Sequence, residues 1–179
     1  MSAQGKNGLP TSAQEPPAVL PHPLRRTFML KKLVAFVFVM LLAMPALAEE
    51  LNTKYFTVNI PEGWKVIMPP TENQGTTSAI FANSAGNASV TFVVGPNSGA
   101  DTKTIADMFA KQFKAPKPPV EKNGQYTFTF AQQDITSQAW VASHGDVFMI
   151  TVMAGDRKAA AAFVKKHVKS PEFPALLPK

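Results

Sequence analysis

The chain has 179 residues and no cysteine. Without a thiol it can form neither a disulfide nor a thiolate metal site, and it has no cysteine nucleophile. It also contains only two tryptophans and two tyrosines, although phenylalanine is abundant at thirteen residues. Stability must therefore come from an ordinary hydrophobic core, and aromatic side chains with a polar tip are few enough to consider one by one.

Histidine is scarce too, with three residues in the whole chain. Two of them, His144 and His167, lie far apart in the sequence and in different predicted elements, which disfavours a zinc site built on several histidines. The chain contains no H-E-x-x-H pattern, no glycine-rich phosphate-binding loop and no G-x-S-x-G elbow. We therefore expect no metal, no cofactor and no enzymatic activity.

One short stretch contains the residue types of a hydrolase triad, Ser143-His144-Gly145-Asp146. A triad must converge in space, with the nucleophile beside one imidazole nitrogen and the acid beside the other. Neighbours in a tight turn rarely reach that geometry, and Gly and Asp are residues that a turn favours. We interpret the stretch as a hairpin turn, and a hydrolase that uses His144 is the disfavoured alternative.

Long hydrophobic runs are limited to one, the twelve residues 33–44. Two lysines precede it, and Pro45 and an Ala46-Leu47-Ala48 box follow, which is the order of a secretory signal peptide over 29–48 with cleavage after Ala48. The run is shorter than the ~20 residues that span a bilayer. The general secretory route is favoured over a twin-arginine route through Arg25-Arg26. We expect export to the periplasm, with secretion as the alternative and membrane contact only before cleavage.

Residues 1–28 are rich in Pro, Gly, Ser, Ala and Gln and are either a disordered leader or a mis-assigned start ahead of Met29. Removing residues 1–48 discards five basic residues and one acidic residue, so the net charge falls from +6 to +2. Most of the basic character thus belongs to the export signal. Nucleic acid is accordingly not an expected partner.

The remaining residues 49–179 predict one α+β domain. An antiparallel sheet of about six to seven strands is expected with two packed helices, at about 101–114 and 157–169. The almost continuous apolar run 147–153 predicts a central strand covered on both faces. The predicted strands are 54–60, 64–68, 78–82, 88–94, 120–122, 125–131, 136–143 and 147–153, and the buried stripe of the first helix is Ile105, Met108, Phe109 and Phe113.

Four aromatic residues are candidates for a ligand or partner surface: Trp64, Trp140, Tyr55 and Tyr126. If the two tryptophans share a face, a cleft between them could take a small ligand or peptide, although core packing is the favoured use of such rings. Pro69-Pro70 should end the second strand, and the polar stretch 69–77 is then expected to be a mobile contact loop beside the tryptophan.

A cluster of lysines, Lys165, Lys166 and Lys169, crowds the end of the second predicted helix. Cations there are favoured by the helix dipole, which explains the cluster without any ligand. The alternative is an anion patch for a phosphate or a lipid headgroup.

The order of the elements and one motif suggest a family. Phe56, Val58, Pro61, Gly63 and Trp64 form the pattern F-x-V-x-x-P-x-G-W. It resembles the first hairpin of the Mog1/PsbP-like superfamily, whose bacterial members include DcrB-like periplasmic proteins. The similarity continues through the later strand VFMITVMAG and the final helix, and it carries no catalytic signature. It implies an α+β binding or assembly module, so we expect a non-catalytic exported protein that binds an envelope protein or peptide.

Overall fold

The computed structural model describes residues 49–179. The expected leader (1–28) and the signal peptide (29–48) with its cleavage point at Ala48 lie outside the described residues. Within them the chain forms ten strands, two α-helices and one 3₁₀ helix. The elements are β1 (Glu49–Asn52), β2 (Thr57–Ile60), β3 (Trp64–Asn73), β4 (Thr76–Asn83), β5 (Ala88–Pro96), α1 (Thr102–Gln112), β6 (Val120–Lys122), β7 (Gln125–Gln132), β8 (Ile135–His144), β9 (Val147–Gly155), α2 (Arg157–His167), β10 (Val168–Lys169) and η1 (Pro174–Leu176).

The strands form two antiparallel sheets. The larger has seven strands in the order β3-β4-β5-β9-β8-β7-β6, and the smaller has three in the order β1-β2-β10. With two helices packed on the strands, this confirms the α+β class. Neighbouring strands of the large sheet are consecutive in the chain and form hairpins, with one exception. Between β5 and its neighbour β9, the chain forms α1 and the strands β6 to β8.

One face of the large sheet packs against α2 and the small sheet. Phe163 of α2 is 2% exposed and lies 5.7 Å from the ring of Phe81. From the turn that leads into β2, Phe56 lies 5.0 Å from Phe92 of β5. This core consists of Phe56, Val58, Ile60, Ala79, Phe81, Val90, Phe92, Val94, Ala142, Met149, Met153, Ala160, Phe163, Val164, Val168 and Leu176.

The other face packs against α1. Phe113 stacks on Phe130 of β7 at 4.5 Å, and Phe109 lies 5.7 Å from Phe148 of β9. Since Met149 of β9 belongs to the α2 core and Ile150 to the α1 core, the predicted central strand is covered on both faces. This second core consists of Ile105, Ala106, Ala110, Phe128, Phe130, Ala139, Val141 and Ile150.

An aspartate caps the N-terminus of each helix. The Asp101 carboxylate accepts a hydrogen bond from the Thr104 amide at 2.7 Å, and Asp156 accepts from two amides of α2. The α1 stripe differs at Met108, which is 52% exposed because the helix turns Ala106 and Ala110 toward the sheet instead. The second helix ends earlier than predicted, since Val168 and Lys169 pair with β2 as β10.

The strand β3 contradicts the predicted loop. It runs to Asn73 through Pro69 and Pro70, and the turn to β4 is only Gln74-Gly75, both at positive φ. The reason is that β3 is an edge strand, where a residue without an N–H can face away from the ladder. The register of β3 shifts twice, and the second shift, between Met68 and Thr71, spans the two prolines; the first lies between Val66 and Met68.

The first predicted strand, 54–60, is also shorter than expected. Residues 53–56 form a turn, and only Thr57–Ile60 continue as a strand. Between β6 and β7, which were predicted at 120–122 and 125–131, the chain turns at Asn123-Gly124, and both residues have positive φ. No helix among residues 49–179 has the length and apolar character needed to cross a membrane.

Candidate functional site

The two tryptophans lie on the same face of the large sheet but do not form a cleft together. Trp64 stacks on Phe163 with ring centroids 4.0 Å apart and planes 20° apart. Trp140 packs half-buried against the same core from β8. Four strand steps separate β3 from β8, which is about 19 Å at the usual strand spacing. Neither ring lines any of the four cavities described below.

Tyr126 lies on the opposite face of the sheet. It packs half-buried against the α1 core, and its hydroxyl lies 3.5 Å from a carboxylate oxygen of Glu121 on β6. Partial burial raises the pKa of the Tyr126 phenol, and the nearby carboxylate adds to the rise. Tyr126 is thus a support of the α1 layer and shares no surface with Tyr55.

Tyr55 lies in a turn that hydrogen bonds hold firmly. The hydroxyl oxygen of Thr53 accepts from the amides of Tyr55 (3.1 Å) and Phe56 (2.8 Å), and the hydroxyl donates to the Phe56 carbonyl at 2.7 Å. From a distant part of the chain, the Ser170 hydroxyl donates to the Tyr55 carbonyl at 2.6 Å. The Tyr55 ring packs against Phe173 at 5.7 Å. The turn is therefore fixed from both ends.

A cavity of about 410 Å³ opens on one side of this turn. Its opposite wall is the β3–β4 hairpin, which includes most of the stretch that the sequence marked as a contact surface. The turn thus brings Tyr55 and that stretch together, although the stretch is a hairpin and not a loop. The lining residues are Asn52, Thr53, Lys54, Tyr55, Pro70, Glu72, Gly75 and Thr77.

A second cavity of about 180 Å³ lies on the other side of the same turn. Its far wall consists of Pro171 and Glu172, which follow β10. Both cavities have Thr53, Lys54 and Tyr55 as a common wall. We call these two cavities together the Tyr55 groove.

The charged groups of the Tyr55 groove are spread along it. The Lys54 ammonium lies 5.5 Å from the centroid of the Tyr55 ring, an arrangement in which the ring face attracts the cation. Glu72 and Glu172 line the two outer walls. Residues 49–179 contain no cluster of three or more His, Asp or Glu side chains that could hold a metal ion. The groove can therefore offer hydrogen bonds and charge complementarity to a ligand, and its carboxylates lie on different walls.

The stretch around His144 is a hairpin turn, as interpreted from the sequence. Gly145-Asp146 joins β8 to β9, and Asn97 fixes the turn by donating its side-chain amide to the Gly145 carbonyl at 2.7 Å. The Ser143 hydroxyl is buried without a hydrogen-bond partner, so it is not bonded to the imidazole. His144 itself packs edge-on against Phe173 at 5.9 Å.

The predicted lysine patch at the end of α2 is exposed. Lys165 and Lys166 lie in the last turn of the helix, and Lys169 lies on β10 opposite Thr57. These three line none of the cavities described here. A different lysine set, Lys111, Lys114 and Lys117, lines a cavity of about 300 Å³ where α1 ends.

Sequence reasoning missed this second lysine set. Its signal was present as lysines at intervals of three that continue into the proline-rich segment 116–119. A fourth cavity, of about 170 Å³, lies beside the turn that joins β4 to β5. Its lining residues are Gly86, Asn87, Ala88, Ser89, Ile135, Ala154 and Gly155.

No family model matches this chain, and none of the curated proteins matches it. Among solved structures, it is similar to a crystal structure from Bacteroides thetaiotaomicron VPI-5482, with 13% sequence identity and a TM-score of 0.43. The match covers 70% of this chain and 49% of the other, so the chain spans about half the length of that protein.

Proposed function

We propose that this protein is an exported, non-catalytic binding or assembly module that takes an envelope protein or peptide in the Tyr55 groove. The observation that carries the proposal is the pair of cavities on either side of one hydrogen-bonded turn. The resemblance to the Mog1/PsbP-like superfamily, noted from the first hairpin, is the further support for a binding module.

The turn supports binding because it is already ordered. Thr53 uses its hydroxyl in three hydrogen bonds, and Ser170 fixes the next part of the turn from another element. A site that is ordered before binding loses less conformational entropy when a partner arrives. The larger cavity, at about 410 Å³, is also within the size range of ligand sites.

The charges of the groove indicate what kind of segment fits. With Glu72 and Glu172 on the outer walls and Lys54 between them, the lining residues have one cation and two anions. A peptide that places a basic side chain beside either carboxylate and an acceptor beside Lys54 is complementary to this pattern. The alternatives, a small-ligand cleft near Trp64 and Trp140 and a hydrolase that uses His144, have no comparable observation behind them.

Charge reversal tests the groove. We expect Lys54→Glu to abolish capture of the partner from an envelope extract prepared at native expression, whereas wild type retains it. Lys65→Glu is the matched control, since Lys65 is also exposed but lines neither cavity of the groove. Equal capture by wild type and Lys54→Glu, with the fold intact by circular dichroism, would remove the groove from the proposal.

Export has a test of its own. Protein recovered from the periplasmic fraction should begin at Glu49, which N-terminal sequencing or intact mass measures directly. A product that keeps the run at 33–44 and stays in the membrane fraction would contradict cleavage after Ala48.

A further inference from the structure

A cavity of about 300 Å³ lies where α1 ends and the chain turns back toward β6. Lys111 comes from the last turn of α1, Lys114 from just past its end, and Lys117 from the following proline-rich segment. Apolar side chains complete the wall, among them Ala110, which is 6% exposed. The full lining is Asp107, Ala110, Lys111, Lys114, Ala115, Pro116, Lys117, Pro118 and Pro119.

The charge of this cavity is strongly positive. Asp107 is the one acidic residue in its lining, and Lys103 already donates to that carboxylate at 2.7 Å. The hydrogen bond from Lys103 to Asp107 also raises the pKa of the Lys103 ammonium, as an ion pair does. Because that pair is neutral, the other three lysines give the cavity a net positive charge.

The helix dipole does not account for all three lysines. Cations are favoured within the last turn of a helix, and the effect falls off beyond it. Lys111 lies in that turn, but Lys117 lies five residues after the final helical residue Gln112. Its position beside the other two therefore needs another explanation.

The backbone conformation at Lys114 also indicates that a lysine has a role at this position. Lys114 has φ +54°, the left-handed conformation that glycine or asparagine usually takes after a helix. Its amide bonds to the Lys111 carbonyl at 3.1 Å, and the Ala115 amide closes the helix on the Ala110 carbonyl at 2.8 Å. The chain thus keeps a lysine in a strained position where glycine would fit without strain.

The segment after the helix is stiff. Pro116, Pro118 and Pro119 each fix their own φ, and each proline also restricts the residue before it. Lys117 therefore projects from a backbone with few alternatives. The three lysines line one cavity, and the backbone that holds Lys117 has little freedom to move.

We propose that this cavity binds a phosphate-type anion. Each lysine offers a compact charge with several N–H donors, and an anion with several oxygens can accept from all three at once. The anion could arrive as a soluble phosphate compound or as the headgroup of an anionic phospholipid. The site shares no residue with the Tyr55 groove, so it stands apart from the proposed function.

The test compares two triple variants, each made in the protein as it is purified from its cells. One carries Lys111→Gln, Lys114→Gln and Lys117→Gln. The matched control changes three exposed lysines that line none of the cavities described above, with Lys65→Gln, Lys122→Gln and Lys158→Gln. Both lose the same charge, so only the position differs. Binding is measured by calorimetry with pyrophosphate and by co-sedimentation with vesicles of phosphatidylglycerol in phosphatidylcholine.

We expect the cavity variant to bind at least about 10-fold more weakly than wild type, and the control variant to bind within about twofold, if each lysine contributes as an exposed ion pair does. Binding to pyrophosphate identifies a soluble anion, and binding to vesicles alone identifies a lipid headgroup. Equal weakening by the two triple variants, or no wild-type binding to either, would overturn the proposal.

A single substitution covers the case in which the triple cavity variant does not fold. Lys117 lies outside every helix and strand, so Lys117→Gln leaves the helix end intact. It should weaken binding by about 2- to 5-fold with an unchanged melting temperature. Unchanged affinity in this variant counts against the site.

Discussion

Truncating Phe163 would show whether the tryptophan hairpin belongs to the core or to a ligand surface. Phe163 is 2% exposed, and it lies between Trp64 at 4.0 Å and Phe81 at 5.7 Å. Replacing such a ring by alanine removes its burial and leaves a cavity, at a cost of about 3–5 kcal/mol. For a domain of about 130 residues, that corresponds to a fall of about 11–18 °C in the melting temperature.

The assay is urea unfolding followed by circular dichroism and tryptophan fluorescence, with Ala162→Gln as the control. Ala162 is exposed on the same helix, and its substitution should change the free energy of unfolding by less than about 0.5 kcal/mol. A double-mutant cycle with Trp64→Leu and Phe163→Leu isolates the stacking of the two rings. We expect a coupling energy of about 0.5–1.5 kcal/mol.

A cost of less than about 1 kcal/mol for Phe163→Ala, far below the range for a buried ring, would show that Phe163 is not a core residue of this kind. Zero coupling in the cycle would have the same meaning for Trp64. Trp64 would then not be a core residue, and a small-ligand cleft near Trp64 and Trp140 would again be a candidate function.

Three further predictions concern the turns and caps. Gly155→Ala should lower the free energy of unfolding well beyond Gly86→Ala: both glycines have φ +73°, but a Cβ at Gly155 would meet a backbone oxygen at 2.1 Å and one at Gly86 meets nothing. Equal losses in urea unfolding would contradict this. Hydrogen bonds, first from the Thr104 amide, lower the pKa of Asp101 below its usual 3.8. Wild type should therefore exceed Asp101→Asn in free energy of unfolding by its full margin at a pH above 3.8. This margin should disappear as the pH falls through the lower pKa that Asp101 has in the folded protein. A margin that stays constant into acid would refute the role of the Asp101 carboxylate as a helix cap. Thr53→Ala should cost about 1–2 kcal/mol and weaken partner capture, whereas unchanged stability would show that its three hydrogen bonds do not order the turn.

Much of the fold was predictable because its strands and helices follow simple periods. The almost continuous apolar run 147–153 predicted the central strand, and both helices were predicted close to where they lie. Where the prediction was wrong, the tertiary context decided. Pro69-Pro70 reads locally as a strand end, and only the edge position of β3 makes it tolerable there.

The candidate site was predictable only in part. Tyr55 and the stretch after Pro69 were both singled out, but their proximity depends on how the small sheet lies against the β3–β4 hairpin, which no local pattern encodes. The same limit applies to the cavity of Lys111, Lys114 and Lys117. Its lysines are visible in the sequence, whereas the space between them arises from the path of the chain after α1.

The interrupted edge strand β3 has a consequence for how partners can attach. Peptides often bind by β-augmentation, in which they extend a sheet through a continuous row of backbone donors and acceptors. In this protein, Pro69, Pro70 and two register shifts break that row on one edge of the large sheet, and the other edge is the three-residue strand β6. An extended peptide therefore gains little from backbone pairing with this sheet. Recognition at the large sheet must rely on side chains, so a change in a single partner residue there should alter affinity more than a change in its backbone conformation.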